Sequence, residues 1–89
     1  MKVKIELFGA SRDFSSHNSL DLNLNNNSTI KDIRNELINY LDEKFNGNEN
    51  YKKIVNSSAF CSADDNIVSD NYKITSNEKI AIIPPIGGG

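Results

Sequence analysis

What most restricts the fold of this chain is a change of hydrophobic period within its first half. "KVKIELF" alternates strictly, with Val3, Ile5 and Leu7 on one side and Lys4, Glu6 and Phe8 on the other, the pattern of a strand with a single core face. "SLDLNLN" alternates again, setting Leu20, Leu22 and Leu24 against Asp21, Asn23 and Asn25, and the polar residues Gly9 to Asn18 read as the connection of a hairpin. "NNNSTIKDIRNELINYLDEKFNG" then switches to three- and four-residue spacing at Ile30, Ile33, Leu37, Leu41 and Phe45, with Ile38 and Tyr40 at the edges of the stripe. Thr29 suits the N-cap, Asp32 adds a favourable first-turn charge, and Gly47 supplies the stop. Two one-faced strands and a one-faced helix must bury their apolar sides against each other.

The second half is more broken. Asn46 to Ser57 is polar, and Tyr51, Ile54 and Val55 suggest one short amphipathic turn. "AFCSA" and "IVS" read as short strands around the turn residues Asp64-Asp65-Asn66. "YKI" leads through a second turn, Ser76-Asn77-Glu78, to the final strand "KIAII". The order of strand, strand, helix, short strands and final strand predicts an α+β domain. Its expected form is the ubiquitin-like β-grasp, a mixed sheet of about five strands with one main helix packed across one face. In that arrangement the first and last strands lie side by side, and a central position suits the isoleucines of the last.

With 89 residues, the chain forms one small domain that buries only about 60–65% of its unfolded surface. No internal repeat divides it. A formal charge of −2 and a pI near 5.2 leave no basic footprint for nucleic acid or an anionic membrane surface. Cys61 is the single cysteine, which excludes an internal disulfide and a Cys-rich metal site. The N-terminal residues enter alternating sequence at once, and nothing approaches the roughly 20 apolar residues of a spanning helix. The expectation is a cytoplasmic chain without membrane or nucleic-acid partners.

"IAIIPPIGGG" ends the sequence and divides it into a domain, residues 1–83, and a flexible tail, residues 84–89. An α-carboxylate is ionised at neutral pH and is a poor electrophile until activated, commonly through adenylation by ATP. Glycine has no Cβ, so Gly87, Gly88 and Gly89 could thread a narrow channel to another protein's active site. Ordering such a tail costs roughly 1–2 kcal/mol per residue, and Pro84-Pro85 reduces the loss by pre-setting an extended stem. The competing reading is that terminal glycines are simply disordered, as chain ends commonly are.

At this level of detail the chain resembles the small subunits of molybdopterin synthase, the MoaD-type sulfur carriers, over nearly its whole length. "LFGASRD" is similar to that family's Phe-(Ala/Gly)-x-x-Arg-(Asp/Glu) stretch, and "ITSNEKIAIIPPIGGG" to its apolar run followed by Pro-Pro-(Val/Ile)-x-Gly-Gly. The diglycine is shared with thiamine sulfur carriers and tRNA-thiolation modifiers; the Pro-Pro stem and the segment after the first strand favour the molybdopterin branch. Two positions depart from the pattern: Gly87 replaces a small side chain, and Asp64-Asp65 replaces a Val-Asn type of turn.

The resemblance implies that Gly89 is adenylated by a ubiquitin-activating-type adenylyltransferase using ATP and Mg, and is converted to a thiocarboxylate with sulfur from a persulfide donor. Pro84, Pro85, Ile86, Gly87, Gly88 and Gly89 would enter the large synthase subunit and deliver sulfur to cyclic pyranopterin monophosphate. Two carriers on a dimer of large subunits is the implied heterotetramer. Catalytic side chains would belong to the partners, and this chain would bind no cofactor or metal. Phe8, Ile67 and Ile83 fall where the family keeps apolar residues at its partner surface. Phe8 and Ile83 also lie opposite the core faces of their strands, an arrangement that makes one outward patch; the alternative is that Phe8 tucks beneath the following loop. A carrier for thiazole, cysteine or tRNA, a lysine-linked modifier, and a binding module with an inert tail are the other functions compatible with these residues.

Other chemistry-bearing residues have plainer readings. Cys61, between Ala59 and Ala63, reads as a small packed residue. His17 sits in a polar connection without a second ligand. An ion pair explains Arg12 as well as contact with the activating enzyme does, and Lys31, Lys44, Lys52, Lys53 and Lys73 read as solvated.

Overall fold

The computed structural model describes residues 1–75 and 77–85. Strand β1, Lys2–Leu7, pairs antiparallel with β2, Ser19–Asn23, Val3 facing Leu22 and Ile5 facing Leu20. The helix α1, Ile30–Phe45, follows a two-residue strand, β3, Ser28–Thr29. A second helix, α2, Glu49–Ser57, precedes the short strands β4, Ala59–Cys61, β5, Ile67–Val68, and β6, Lys73–Ile74; β7, Lys79–Ile83, comes last. The main sheet has the order β2-β1-β7-β4-β5. β1 and β7 run parallel, Ile5 beside Ile80 and Leu7 beside Ile82, and every other pair in that sheet is antiparallel. This is the ubiquitin-like β-grasp, with the expected central β7.

Each period change in the sequence maps onto burial. Val3, Ile5 and Leu7 of β1, Leu20 and Leu22 of β2, Phe60 of β4, and Ile80 and Ile82 of β7 all face one side and are buried. Ile30, Ile33, Leu37 and Leu41 bring the apolar stripe of α1 down onto them. Thr29 starts the helix through a reciprocal cap. Its Oγ1 accepts from the Asp32 backbone N–H at 3.4 Å, while Asp32 Oδ2 accepts from the Thr29 N–H at 2.8 Å. Asn46 and Gly47, at φ of 55° and 74°, end it with two left-handed residues.

Three features differ from the sequence reading. The hairpin connection contains a 3-10 helix, Gly9–Phe14, whose Phe14 is fully buried; one buried aromatic in a polar stretch gives no periodicity to read. The polar stretch before Ser57 forms the nine-residue helix α2 rather than a single turn. Asn48 caps it by accepting from the Tyr51 N–H at 3.1 Å, and Glu49 sits favourably in its first turn. Tyr51 then packs between Phe14 and Phe45, at ring distances of 5.3 and 5.0 Å, so this helix is held by a tertiary aromatic cluster. Finally, the "YKI" strand leaves the main sheet: β6 pairs antiparallel with β3 in a separate two-stranded ribbon at the start of α1.

The turn at Asp64-Asp65-Asn66 is present, with Asp65 at φ 62° and its N–H donated to Ser62 at 3.0 Å. Of the second predicted turn, Asn77 and Glu78 are described, whereas Ser76 lies outside the described residues.

Candidate functional site: the outer sheet face and the stem of the tail

Because α1 covers one face of the sheet, the other face is left to solvent, and strand parity decides what it shows. Across the sheet at one level stand Ser19, Glu6, Ala81, Cys61 and Ile67, each facing the next. Ala59 faces Ile83 one step nearer the C-terminal end of β7. The Leu7–Ile82 pairing sets Phe8 at the level of Ile83 on the neighbouring strand. Among the described residues, the large hydrophobic side chains that stay exposed are Phe8, 43%, Ile67, 76%, and Ile83, 36%. Phe8 does not tuck beneath the loop.

The local structure holds Phe8 out. Its backbone is extended, at φ −127° and ψ 154°, and Ser11 pins it on both sides. Ser11 Oγ accepts from the Phe8 N–H at 3.0 Å and donates to the Phe8 carbonyl at 2.6 Å. Gly9, at φ +55°, then turns the chain into the 3-10 helix.

That turn also shapes the exit of the tail. Pro84 is buried, and a Cβ on Gly9 would lie 3.8 Å from Pro84 Cδ. Pro84 and Pro85 leave β7 along a groove lined by Ala10 of the 3-10 helix and Asn50, Lys53, Ile54 and Ser57 of α2. The stem is therefore seated against the domain at its first proline. Ile86, Gly87, Gly88 and Gly89 lie outside the described residues.

The sequence reading missed three residues of this face: Ala59, Ala81 and Cys61. The signal was parity, since Ile80, Ile82 and Phe60 face inward and their neighbours must face out. Cys61 is accordingly a partly exposed free thiol on the outer face rather than a residue packed in the core. Arg12 is exposed and makes no ion pair among the described residues; His17 is also exposed.

Groups with shifted acidity stand elsewhere in the fold. Burial raises the Tyr40 phenol. Its hydrogen bond to Asp42 raises Lys52, and burial beside Glu78 raises Tyr72. Among the described residues no three His, Cys, Asp or Glu side chains converge as metal ligands, and no helix is long and apolar enough to cross a membrane. The described part of the site thus offers an apolar contact surface beside a seated stem.

No curated protein matches the chain. Solved structures share its fold. The small archaeal modifier SAMP1 from Haloferax volcanii superposes with a TM-score of 0.70 at 13% identity, over 100% of both chains. A solved complex of subunits 1 and 2 of the molybdopterin-converting factor from Helicobacter pylori 26695 gives 0.61 at 21%, again over 100% of both. Ubiquitin from Caldiarchaeum subterraneum gives 0.61 at 17%, over 100% of this chain and 98% of that one. The sequence profile described as the ThiS family matches residues 5–89, from the middle of β1 through the glycine tail, and the chain belongs to that family of ubiquitin-like sulfur carriers.

Proposed function

We propose that the chain is the sulfur-carrying small subunit of molybdopterin synthase and works in the cytoplasm. Its body is residues 1–83 and its reactive tail residues 84–89, with Pro84 as the seated link. The supporting observation is the placement of Phe8 and Ile83, exposed side by side at the end of the sheet from which the tail stem departs. An apolar surface there lets a second protein grip the domain and receive the tail in one docking event. The Helicobacter pylori complex offers a fold-level precedent of two subunits assembled.

In this mechanism the Gly89 carboxylate attacks the α-phosphorus of ATP on an activating enzyme that holds Mg, and pyrophosphate leaves. A persulfide sulfur attacks the resulting acyl adenylate and AMP leaves; a thiol then cleaves the S–S bond, giving a thiocarboxylate and a disulfide. The loaded tail enters the large subunit and transfers sulfur to cyclic pyranopterin monophosphate. The chain supplies the acyl group and the docking surface. The acid–base groups belong to its partners.

A second reading, a protein modifier, is favoured by the fold shared with SAMP1. Mass spectrometry of the intact chain after incubation with the activating enzyme, ATP and a persulfide donor separates the two. One carboxylate oxygen replaced by sulfur, followed by dithiolene formation when the large subunit and pterin are added, is the expected result. A Gly89–lysine conjugate without that transfer would overturn the proposal in favour of the modifier.

A further inference from the structure

The main sheet has two free edges, and they differ. Native sheets blunt an open edge with a short strand, a lysine, a proline or a bulge. β5 is blunted by its length of two residues. β2, at the other end of the order β2-β1-β7-β4-β5, runs five residues, "SLDLN", in unbroken register with β1. It has none of these devices. Leu7 N–H donates to the Asn18 carbonyl at 2.9 Å, and Leu24 N–H to the Met1 carbonyl at 2.8 Å, so the even-numbered residues of β2 bond to β1. The N–H and C=O groups of Ser19, Asp21 and Asn23 therefore point out along the open edge. The side chains behind them are also short of cover. Leu20, Leu22 and Leu24 are 9%, 8% and 8% exposed, whereas Val3, Ile5 and Leu7 on the next strand are 0%, 0% and 1%.

A hollow opens between β2 and α1 at each end of the strand. The one beside Ser19 is lined by His17, Leu20, Tyr40 and Lys44, with the facing residues Lys4 and Asp21 at its rim. The one beside Asn23 is lined by Leu24, Ser28, Asp32, Asn35 and Glu36. On its helix side the edge is thus basic at one end and acidic at the other. Neither Lys44 nor Glu36 is engaged in an ion pair among the described residues.

We propose that the open edge of β2 receives an extended segment of another protein as a further antiparallel strand, basic at its N-terminal end and acidic at its C-terminal end. Antiparallel pairing sets the segment's N-terminal end beside Glu36 and its C-terminal end beside Lys44. Residues opposite Leu20 and Leu22 face α1 and are apolar, completing the cover of the leucines. Those opposite Ser19, Asp21 and Asn23 share the outer face and are polar. Backbone hydrogen bonds supply the affinity, and the end charges fix the direction. A second copy of the chain fits less well, because antiparallel pairing in full register sets Asp21 against Asp21. β1 separates this edge from β7 and its tail stem. The strand site therefore stands apart from the small-subunit reading.

The test titrates the full chain with the end-blocked peptide Lys-Thr-Val-Thr-Val-Thr-Glu and with its charge-exchanged partner Glu-Thr-Val-Thr-Val-Thr-Lys, followed by amide hydrogen exchange. The first peptide should bind more tightly and slow exchange at the Ser19, Asp21 and Asn23 amides. Asp21→Pro removes one outward N–H without touching the β1 ladder, and should weaken binding by about tenfold. Lys44→Glu should reverse the preference between the peptides. Circular dichroism verifies that each variant folds; should Asp21→Pro not fold, exchange in the wild-type chain and the Lys44→Glu reversal decide. No binding of either peptide to the wild-type chain at millimolar concentration overturns the strand site. So does binding that leaves the three amides exchanging as before, or that Asp21→Pro leaves intact. Equal binding of the two peptides overturns the assignment of direction by charge. Protection of the same amides in the chain alone, together with a dimer mass in sedimentation, would give the edge to a second copy and overturn the proposal.

Discussion

Arg34 of α1 donates from Nη1 to the carbonyl oxygen of Val55 on α2, at 2.6 Å. The same guanidinium lies 4.8 Å from the centroid of the Phe60 ring and pairs through Nε with Asp70 at 3.1 Å. One side chain thus joins both helices, β4 and the loop before β6. Arg34→Ala should cost about 2–3 kcal/mol in urea unfolding, since it removes a charged hydrogen bond and the ring contact together. Asp70→Asn should cost less than about 1 kcal/mol, because Asp70 is half exposed and surface pairs are weak. Equal losses would show that the ion pair, not the carbonyl bond and the ring, carries the stability.

Tyr40 donates its hydroxyl to the Phe14 carbonyl at 2.8 Å, and burial raises its phenol above the ordinary value of 10.0. A group whose folded pKa lies above its unfolded one keeps its contribution below the unfolded pKa and loses it as pH rises through the folded value. Lys52, raised from 10.5 by its hydrogen bond to Asp42, and Tyr72, raised by burial, act with the same sign. Stability should therefore fall on the alkaline side, above about pH 10. Tyr40→Phe should flatten that fall while costing about 1 kcal/mol at neutral pH. An alkaline slope identical to that of wild type would exclude Tyr40 as a source.

These examples mark where the sequence is legible. Elements whose residues bury one face against the sheet, such as β1, β2, α1 and β7, carry a period that can be counted. The 3-10 helix and α2 are held by Phe14, Tyr51 and Phe45 meeting from distant positions, and local periodicity cannot report a three-way contact. At the candidate site, Phe8 and Ile83 were readable because a large apolar residue out of parity is conspicuous, whereas Ile67, in a strand too short to show parity, was named only through the family resemblance. Ala59, Ala81 and Cys61 carry no such contrast, and only the strand register brings them together.

Phe8 and Phe60 provide a paired test of the patch. Phe60 is fully buried, so Phe60→Ala should cost about 3–5 kcal/mol. Phe8 is 43% exposed, and Phe8→Asp should cost less than about 1 kcal/mol while sharply weakening binding to the large subunit. A melting loss at Phe8 comparable to that at Phe60 would make it a core residue.

Gly9 offers a test of how the stem is seated. At φ +55° a Cβ is strained, yet its approach to Pro84 Cδ at 3.8 Å is ordinary contact. Gly9→Ala should therefore destabilise by about 1–2 kcal/mol through the backbone alone, and Gly9→Asn, which tolerates that conformation better, by less. If thermal melts rank alanine above asparagine, the left-handed turn is not what Gly9 provides.

The parallel pairing of β1 with β7 has a mechanical consequence. The start of β1 and the end of β7 lie at opposite ends of one hydrogen-bonded ladder, so tension applied between them slides the strands lengthwise. Every rung is then loaded together, where an antiparallel terminal hairpin would open one rung at a time. A protein that pulls on the tail while another holds the N-terminal strand works against the whole ladder at once, and the domain can bear traction on the end of β7 without coming undone.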